Sequence, residues 1–159
     1  MNTELSARRT LPNGDKLWSL NGLLHRVDGP ALEFVDGHKA WYLNNELHRE
    51  NGPAKEWPDG SNEWYTHGMC HREDGPALEY VGDRKEWYIH GQSHREDGPA
   101  VECLDGYKEW RLNARLHRVD GPAIERVDGT REWWLHGVRQ EPSTTKNSAD
   151  ATAEVTHED

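Results

Sequence analysis

The chain has 159 residues, a hydrophobic fraction of 33% and a formal net charge of −10. That length fits one ordinary domain, and so low an apolar content argues against a globule built around a deep central core. The negative charge opposes approach to a phosphate backbone, so no direct nucleic-acid partner is expected. No stretch reaches the ~18 apolar residues of a membrane span, so no membrane association is expected either.

The first nine residues, Met1 to Arg9, are polar and lack the apolar run of a signal peptide; they read as a loose lead-in. A half-unit follows from Thr10 to Leu23, with Asn13-Gly14, Trp18 and Asn21-Gly22, and is expected to cap the stack. Residues 24–140 then hold five full units of 23 residues, beginning at Leu24, Leu47, Cys70, Ser93 and Leu116. Their register is marked by Trp18, Trp41, Trp64, Trp87, Trp110 and Trp133, and by five His-Arg pairs from His25-Arg26 to His117-Arg118. A fixed period of this length means one supersecondary unit stacked on copies of itself. From Glu141 to Asp159 the composition turns to Ser, Thr, Ala and five acids against Lys146. Such a segment buries too little to offset its ordering entropy and is expected to be disordered.

Within the third unit two runs alternate in polarity, Ala77 to Val81 and Lys85 to Ile89, and favour strand. Gly82-Asp83 separates them where the other full units carry Asp-Gly, a hairpin signal read here as a two-residue type I′ turn. The second run ends at Asn-Gly, Asn-Asn or His-Gly pairs, which suit left-handed backbone; Ala114 departs from that pattern. The H-R-x-D-G-P segment that follows is a loop, since its proline cannot donate to a ladder. The expected fold is therefore all-β: an elongated antiparallel sheet of successive hairpins. A parallel β-helix with 23-residue coils is the alternative. It would stack Glu33, Glu56, Glu79, Glu102 and Glu125 only ~4.7–4.9 Å apart, whereas hairpins double that spacing.

The period, the Asp-Gly turn, the Trp and the following Asn/His-Gly resemble MORN-type repeats over Thr10 to Val138. The variant here reads H-R-x-D-G-P-A and looks like repeats of phage and giant-virus accessory proteins. That resemblance implies antiparallel hairpins and a scaffold or contact surface. It suggests a phage-encoded inhibitor of a host defence enzyme, or a virion or assembly accessory protein acting in the host cytoplasm.

The tryptophan column is expected to form the core. A two-residue turn sets Leu32 opposite Trp41 and gathers Leu32, Phe34, Trp41 and Leu43 on one face, with Ala31, Glu33, Val35 and Tyr42 on the other. It also opposes Glu56 to Glu63, Glu79 to Glu86, Glu102 to Glu109 and Glu125 to Glu132, which is destabilising. Either the turn is one residue longer or a cation intervenes. Arg49, Arg72, Arg95 and Arg118 are expected to fold back onto these glutamates, because a guanidinium can hold two carboxylates. The loop Asp residues are expected to accept backbone N–H bonds. One His and one Asp per loop make an incomplete metal site, and no Ser or Cys recurs beside the His as a nucleophile. No metal, no cofactor and no catalysis are expected. Cys70 and Cys103 read as reduced thiols of a cytoplasmic protein.

Function in a repeat protein is sought where units differ. Two columns vary: Tyr42, Tyr65, Tyr88, Arg111 and Trp134 after the Trp, and Phe34, Trp57, Tyr80, Cys103 and Arg126 on the first strand. Aromatics with interspersed Arg match the composition of interface hot spots. Tyr42, Tyr65, Tyr88, Arg111, Trp134, Trp57 and Arg126 are thus the candidate partner-binding residues. The expected partner is another protein, with capture of a nucleotide-like small ligand as the alternative and catalysis by the His-Arg-Asp loops as a third. Free strand edges allow self-association.

Overall fold

The computed structural model describes residues 6–141. The acidic tail from residue 142 onward, expected to be disordered, lies outside the described residues. Among those described, fourteen strands join one antiparallel sheet that follows the repeats from end to end. Each unit adds two strands to it, as with Leu78–Tyr80 and Arg84–Glu86. Each of the first four full units also carries a short ribbon beside the sheet, such as Tyr88–Ile89 paired with Gln92–Ser93. Neighbouring units pair antiparallel as well, Arg84 with Cys103 and Glu86 with Val101, so the parallel coil is excluded. Two backbone bonds tie successive ribbon regions: Arg72 N–H to Tyr88 O at 3.1 Å and Gly91 N–H to Cys70 O at 2.8 Å. Of the lead-in expected to be loose, residues 1–5 lie outside the described residues, and its end instead supplies a strand, Ala7–Thr10, paired with Lys16–Leu20.

The turn between the two sheet strands is one residue longer than the two-residue reading. Phe34 N–H bonds His38 O at 2.9 Å and Gly37 N–H bonds Phe34 O at 3.0 Å, leaving Val35, Asp36 and Gly37 in the loop. Gly37 sits at φ 92°, the left-handed position that ends a three-residue hairpin loop. A register change by one residue alters every partner. Leu32 stands opposite Ala40, not Trp41, and Glu33 stands opposite Lys39. One row across the sheet then reads Glu33, Lys39, Glu56, Asn62, Glu79, Lys85, Glu102, Lys108 and Glu125. The expected pairing of Glu56 with Glu63 and its three equivalents does not occur; carboxylates face cations or Asn62.

Type I′ geometry belongs to the ribbon tips, where both central residues have positive φ. Asn44 and Asn45 lie at 51° and 67°, Asn113 and Ala114 at 48° and 62°. Alanine gains nothing there that offsets the clash of its Cβ with the following carbonyl. Ala114→Gly is expected to raise stability by about 1 kcal/mol, read as a shift in denaturation midpoint at unchanged slope.

Burial also departs from the expected core. Ala31, Ala54, Ala77, Ala100 and Ala123 are 0% exposed, while all six repeated tryptophans are only half-buried. Strand alternation puts Trp41 on the face of Glu33 and Lys39, and Tyr42 on the face of Leu32 and Ala40. The anticipated grouping of Leu32 with Trp41 depends on the shorter turn and falls with it. A strip one sheet thick has no interior large enough to enclose an indole; only the small alanine side chains vanish from solvent.

Candidate functional site

The recurring residues assemble into one clamp, repeated five times. Each loop arginine lays its guanidinium over the Trp ring eight residues before it: Arg26 on Trp18, Arg49 on Trp41, Arg72 on Trp64, Arg95 on Trp87 and Arg118 on Trp110, at 3.9–4.1 Å from the ring centroid. Cation–π stacking of this kind is worth about 0.5–2 kcal/mol. The other atoms of the fork are used as well. Arg95 Nε donates to Asp97 Oδ1 at 2.8 Å, and its Nη1 donates to Pro99 O at 3.2 Å and Glu102 Oε1 at 3.0 Å. Arg49, Arg72 and Arg118 reach Glu56, Glu79 and Glu125 in the same way. The arginines thus fold onto the glutamates of the first strand, as the sequence suggests, but each holds one sheet glutamate and not an opposed pair. In four of the five loops the Asp bonds chiefly the arginine, the second loop carrying Asn51 in its place: hydrogen bonds from the guanidinium, then its charge, hold the Asp28, Asp74 and Asp97 carboxyls below their ordinary pKa. Glycine completes the layer. A Cβ at Gly98 would lie 2.8 Å from the Arg95 Cζ, so the D-G-P glycine is the room the guanidinium occupies.

The histidines brace successive ribbons. His71 Nδ1 accepts the His90 backbone N–H at 3.1 Å, and His117 Nδ1 accepts that of His136 at 3.1 Å. Their rings lie 4.4 Å and 4.2 Å from those of His90 and His136. At His25 and His94 the same nitrogen faces both the backbone N–H, at 3.2 Å, and the side-chain Oδ1, at 2.9 Å and 3.0 Å, of Asn44 and Asn113. At His71 and His117 the acceptor role of Nδ1 puts the proton of the neutral ring on Nε2. The bond reaches from one ribbon to the next and holds a tip residue in left-handed conformation. Burial, then the adjacent His136, lowers the His117 pKa below 6.5.

On the opposite face runs a second set that sequence reading missed. Glu63, Glu86, Glu109 and Glu132 stand immediately before a Trp and alternate across the sheet with Leu78, Val101 and Ile124. Glu63 and Glu86 are 6% and 9% exposed. Each is held by varying residues. Tyr80 OH donates to Glu63 Oε1 at 2.7 Å, while Lys55 Nζ lies 3.2 Å from Oε2 but off the angle of a hydrogen bond, leaving a plain ion pair. Glu86 takes Arg84 Nε at 2.7 Å and Tyr88 OH at 2.9 Å. Glu109 takes Tyr107 OH and Arg111 Nε, the latter at 2.5 Å. Glu132 takes Arg126 and, at 3.0 Å, Trp134 Nε1. The signal was present in the sequence as a charge recurring at a position strand alternation would bury.

The candidate partner-binding residues therefore divide. Tyr88, Arg111, Trp134 and Arg126 spend their polar atoms on the glutamate row, and Tyr65, its hydroxyl pKa raised by burial and then by Glu63, lies beside it. Tyr42 lies on that same face, and among the described residues its hydroxyl has no hydrogen-bond partner. Trp57 belongs to another row, stacked on His38 at 4.9 Å, with His38 stacked on Phe34 at 4.8 Å. The structure brings the Tyr42 column together on one face and leaves Trp57 near the hairpin tips.

Both cysteines are free. Burial, reinforced by Glu63 and Glu86, pushes the Cys70 thiol up to about 12. Thiolate is the reactive form, so Cys70 is expected to resist alkylation at pH 8 in the native protein and to react within minutes once unfolded; mass spectrometry of quenched samples reads the difference. Among the described residues no three His, Cys, Asp or Glu side chains converge to hold a metal ion, and no helix is long and apolar enough to cross a membrane. No protein-family model and no curated protein matches this chain.

Proposed function

We propose that the chain is a non-catalytic binding scaffold that presents an elongated sheet surface to another protein. One observation carries this reading: the residues that recur spend their functional atoms on each other. The arginine fork is consumed by Trp, Asp, Pro and Glu, and the histidine acceptor by a backbone N–H. What remains to meet a partner is the set that differs between units, with Tyr42 and Trp57 foremost. A role as a phage-encoded inhibitor of a host enzyme, or as an assembly accessory protein, accords with the likeness to viral repeats.

Tyr65→Ala or Tyr88→Ala would disturb the buried glutamates as well as the surface, so the informative variant is Tyr42→Ser with Trp57→Ser. Captured partner from native extract is expected to fall at least about tenfold with the thermal midpoint shifted by only a few degrees. Undiminished capture would remove this face from the account.

A further inference from the structure

The hairpin tips form a second surface that neither the clamp nor the glutamate row uses. At each tip the first loop residue is apolar and open to solvent: Val35, Pro58, Val81, Leu104 and Val127. Exposure reaches 78% at Leu104 and 63% at Val81. Three of the five are anchored through the backbone to the preceding tip, Val35 N–H on Asp15 Oδ1 at 3.0 Å, Val81 N–H on Ser61 Oγ at 3.1 Å and Leu104 N–H on Asp83 O at 2.7 Å. Pro58 and Val81 lean toward Gly37 and Gly60 of the tip before, close enough to meet a Cβ placed there. The second loop residue is acidic in four of the five, Asp36, Asp59, Asp105 and Asp128, with one oxygen bonded inside the turn. One rim of the sheet thus carries a regularly spaced row of apolar residues, four of the five beside a carboxylate.

The pitch of that row is set by the sheet. Two strands per unit separate successive tips by roughly 9.4–9.8 Å. A polyproline II chain advances ~3.1 Å per residue with three residues per turn, so every third side chain returns to one side after about 9.3 Å. An extended strand covers a similar distance in three residues but turns its third side chain to the opposite face. Charge selects further: a second copy would set acid row against acid row, whereas a cationic chain meets a counter-charge at nearly every step. We propose that this rim docks a cationic, proline-rich segment in polyproline II conformation, with an apolar residue and an Arg or Lys repeating every third position. The proposal rests on the reading of the chain as a protein-binding scaffold, and assigns a separate surface to one class of partner.

The test uses the full chain and a labelled peptide of five Pro-Val-Arg triplets. Its control has the same residues reordered so that the valines fall at irregular intervals. Anisotropy titration at about 0.15 M salt is expected to show the triplet peptide bound at least tenfold tighter than its control, and about tenfold more weakly by Val81→Ser/Leu104→Ser. Both residues are exposed, so the fold is untouched. Tyr42→Ser, on the sheet face, leaves the triplet peptide bound as before. Equal affinity for both peptides would reduce the effect to bulk charge and overturn the proposal. So would binding indifferent to the tip substitutions, or a dimer in sedimentation that Leu104→Ser dissolves, since the rim would then be occupied by a second copy. Loss of peptide binding in Tyr42→Ser would return the site to the face of the scaffold reading and also defeat the rim.

Discussion

Replacing Arg72 by lysine lowers stability by about 2 kcal/mol although the charge is kept. The guanidinium of Arg72 is planar and used on every side: ring of Trp64 at 4.0 Å, Asp74 at 2.8 Å, Pro76 O at 3.2 Å and Glu79 at 3.4 Å. An ammonium is a point donor that cannot stack flat and bond three acceptors in one plane. The stacking is worth about 0.5–2 kcal/mol, and hydrogen bonds to charged groups about 1.5–3 kcal/mol each in favourable cases. Asp74 is almost wholly exposed and its bond adds little, so the loss comes from the ring, Pro76 O and the half-buried Glu79 and stays near the stacking figure. A second readout separates this role from simple packing: the Asp74 carboxyl, held below its ordinary 3.8 by Arg72, rises toward that value in the lysine variant by NMR titration. Unchanged stability and an unchanged Asp74 titration would remove the clamp from the account.

Acid weakens the stack at His117 before the carboxylates titrate. His117 accepts the His136 backbone N–H through Nδ1. A doubly protonated imidazole has no acceptor, so charging this ring breaks the bond between one ribbon and the next. At about 0.5–1.5 kcal/mol, the loss is modest but measurable beside a typical domain's stability. His117 gives the sign. Its folded pKa lies below the unfolded 6.5, so its contribution is fully present above pH 6.5 and is lost as pH falls through the lower folded value. The Arg-held Asp28, Asp74 and Asp97 add a second loss in the same direction, beginning below 3.8. Urea midpoints measured from pH 8 to 4 are expected to fall modestly below 6.5. His117→Asn, whose amide oxygen remains an acceptor throughout this range, is expected to flatten that fall slightly. A flat profile in the parent chain would mean that the His117 ring does not act as an acceptor.

The repeat unit was legible because its markers are large and evenly placed: six tryptophans at one step and a turn signal between alternating runs fix an antiparallel sheet of hairpins. Register was not. Asp-Gly serves equally in a two-residue loop and in a three-residue loop ending on left-handed glycine, and Gly37 takes the second role. The clue lay in the energetics, since the shorter loop opposed Glu56 to Glu63 and the longer one gives Lys39 opposite Glu56 and Lys55 opposite Glu63. The arginine-to-glutamate contact was readable from chemistry, but its stacking on Trp64 and the cradle at Gly75 depend on how the loop folds back, which local sequence does not encode. Ala31 was assigned to the outer face because alanine carries no strong burial signal; its enclosure follows from the thinness of the sheet. Tyr88 and Arg111 read as free interface residues, since nothing in the chain's order shows that Glu86 and Glu109 lie beneath them.

A Trp–Arg layer joins each unit to the next, and one double-mutant cycle tests that claim at the centre of the stack. Trp87→Leu, Arg95→Met and the double variant are unfolded in denaturant beside the parent chain. The predicted result is a coupling of about 1 kcal/mol or more between the two sites, as for contacts within one network. Losses that add to within about 0.3 kcal/mol would mean that ring and guanidinium do not hold each other, and would contradict the account.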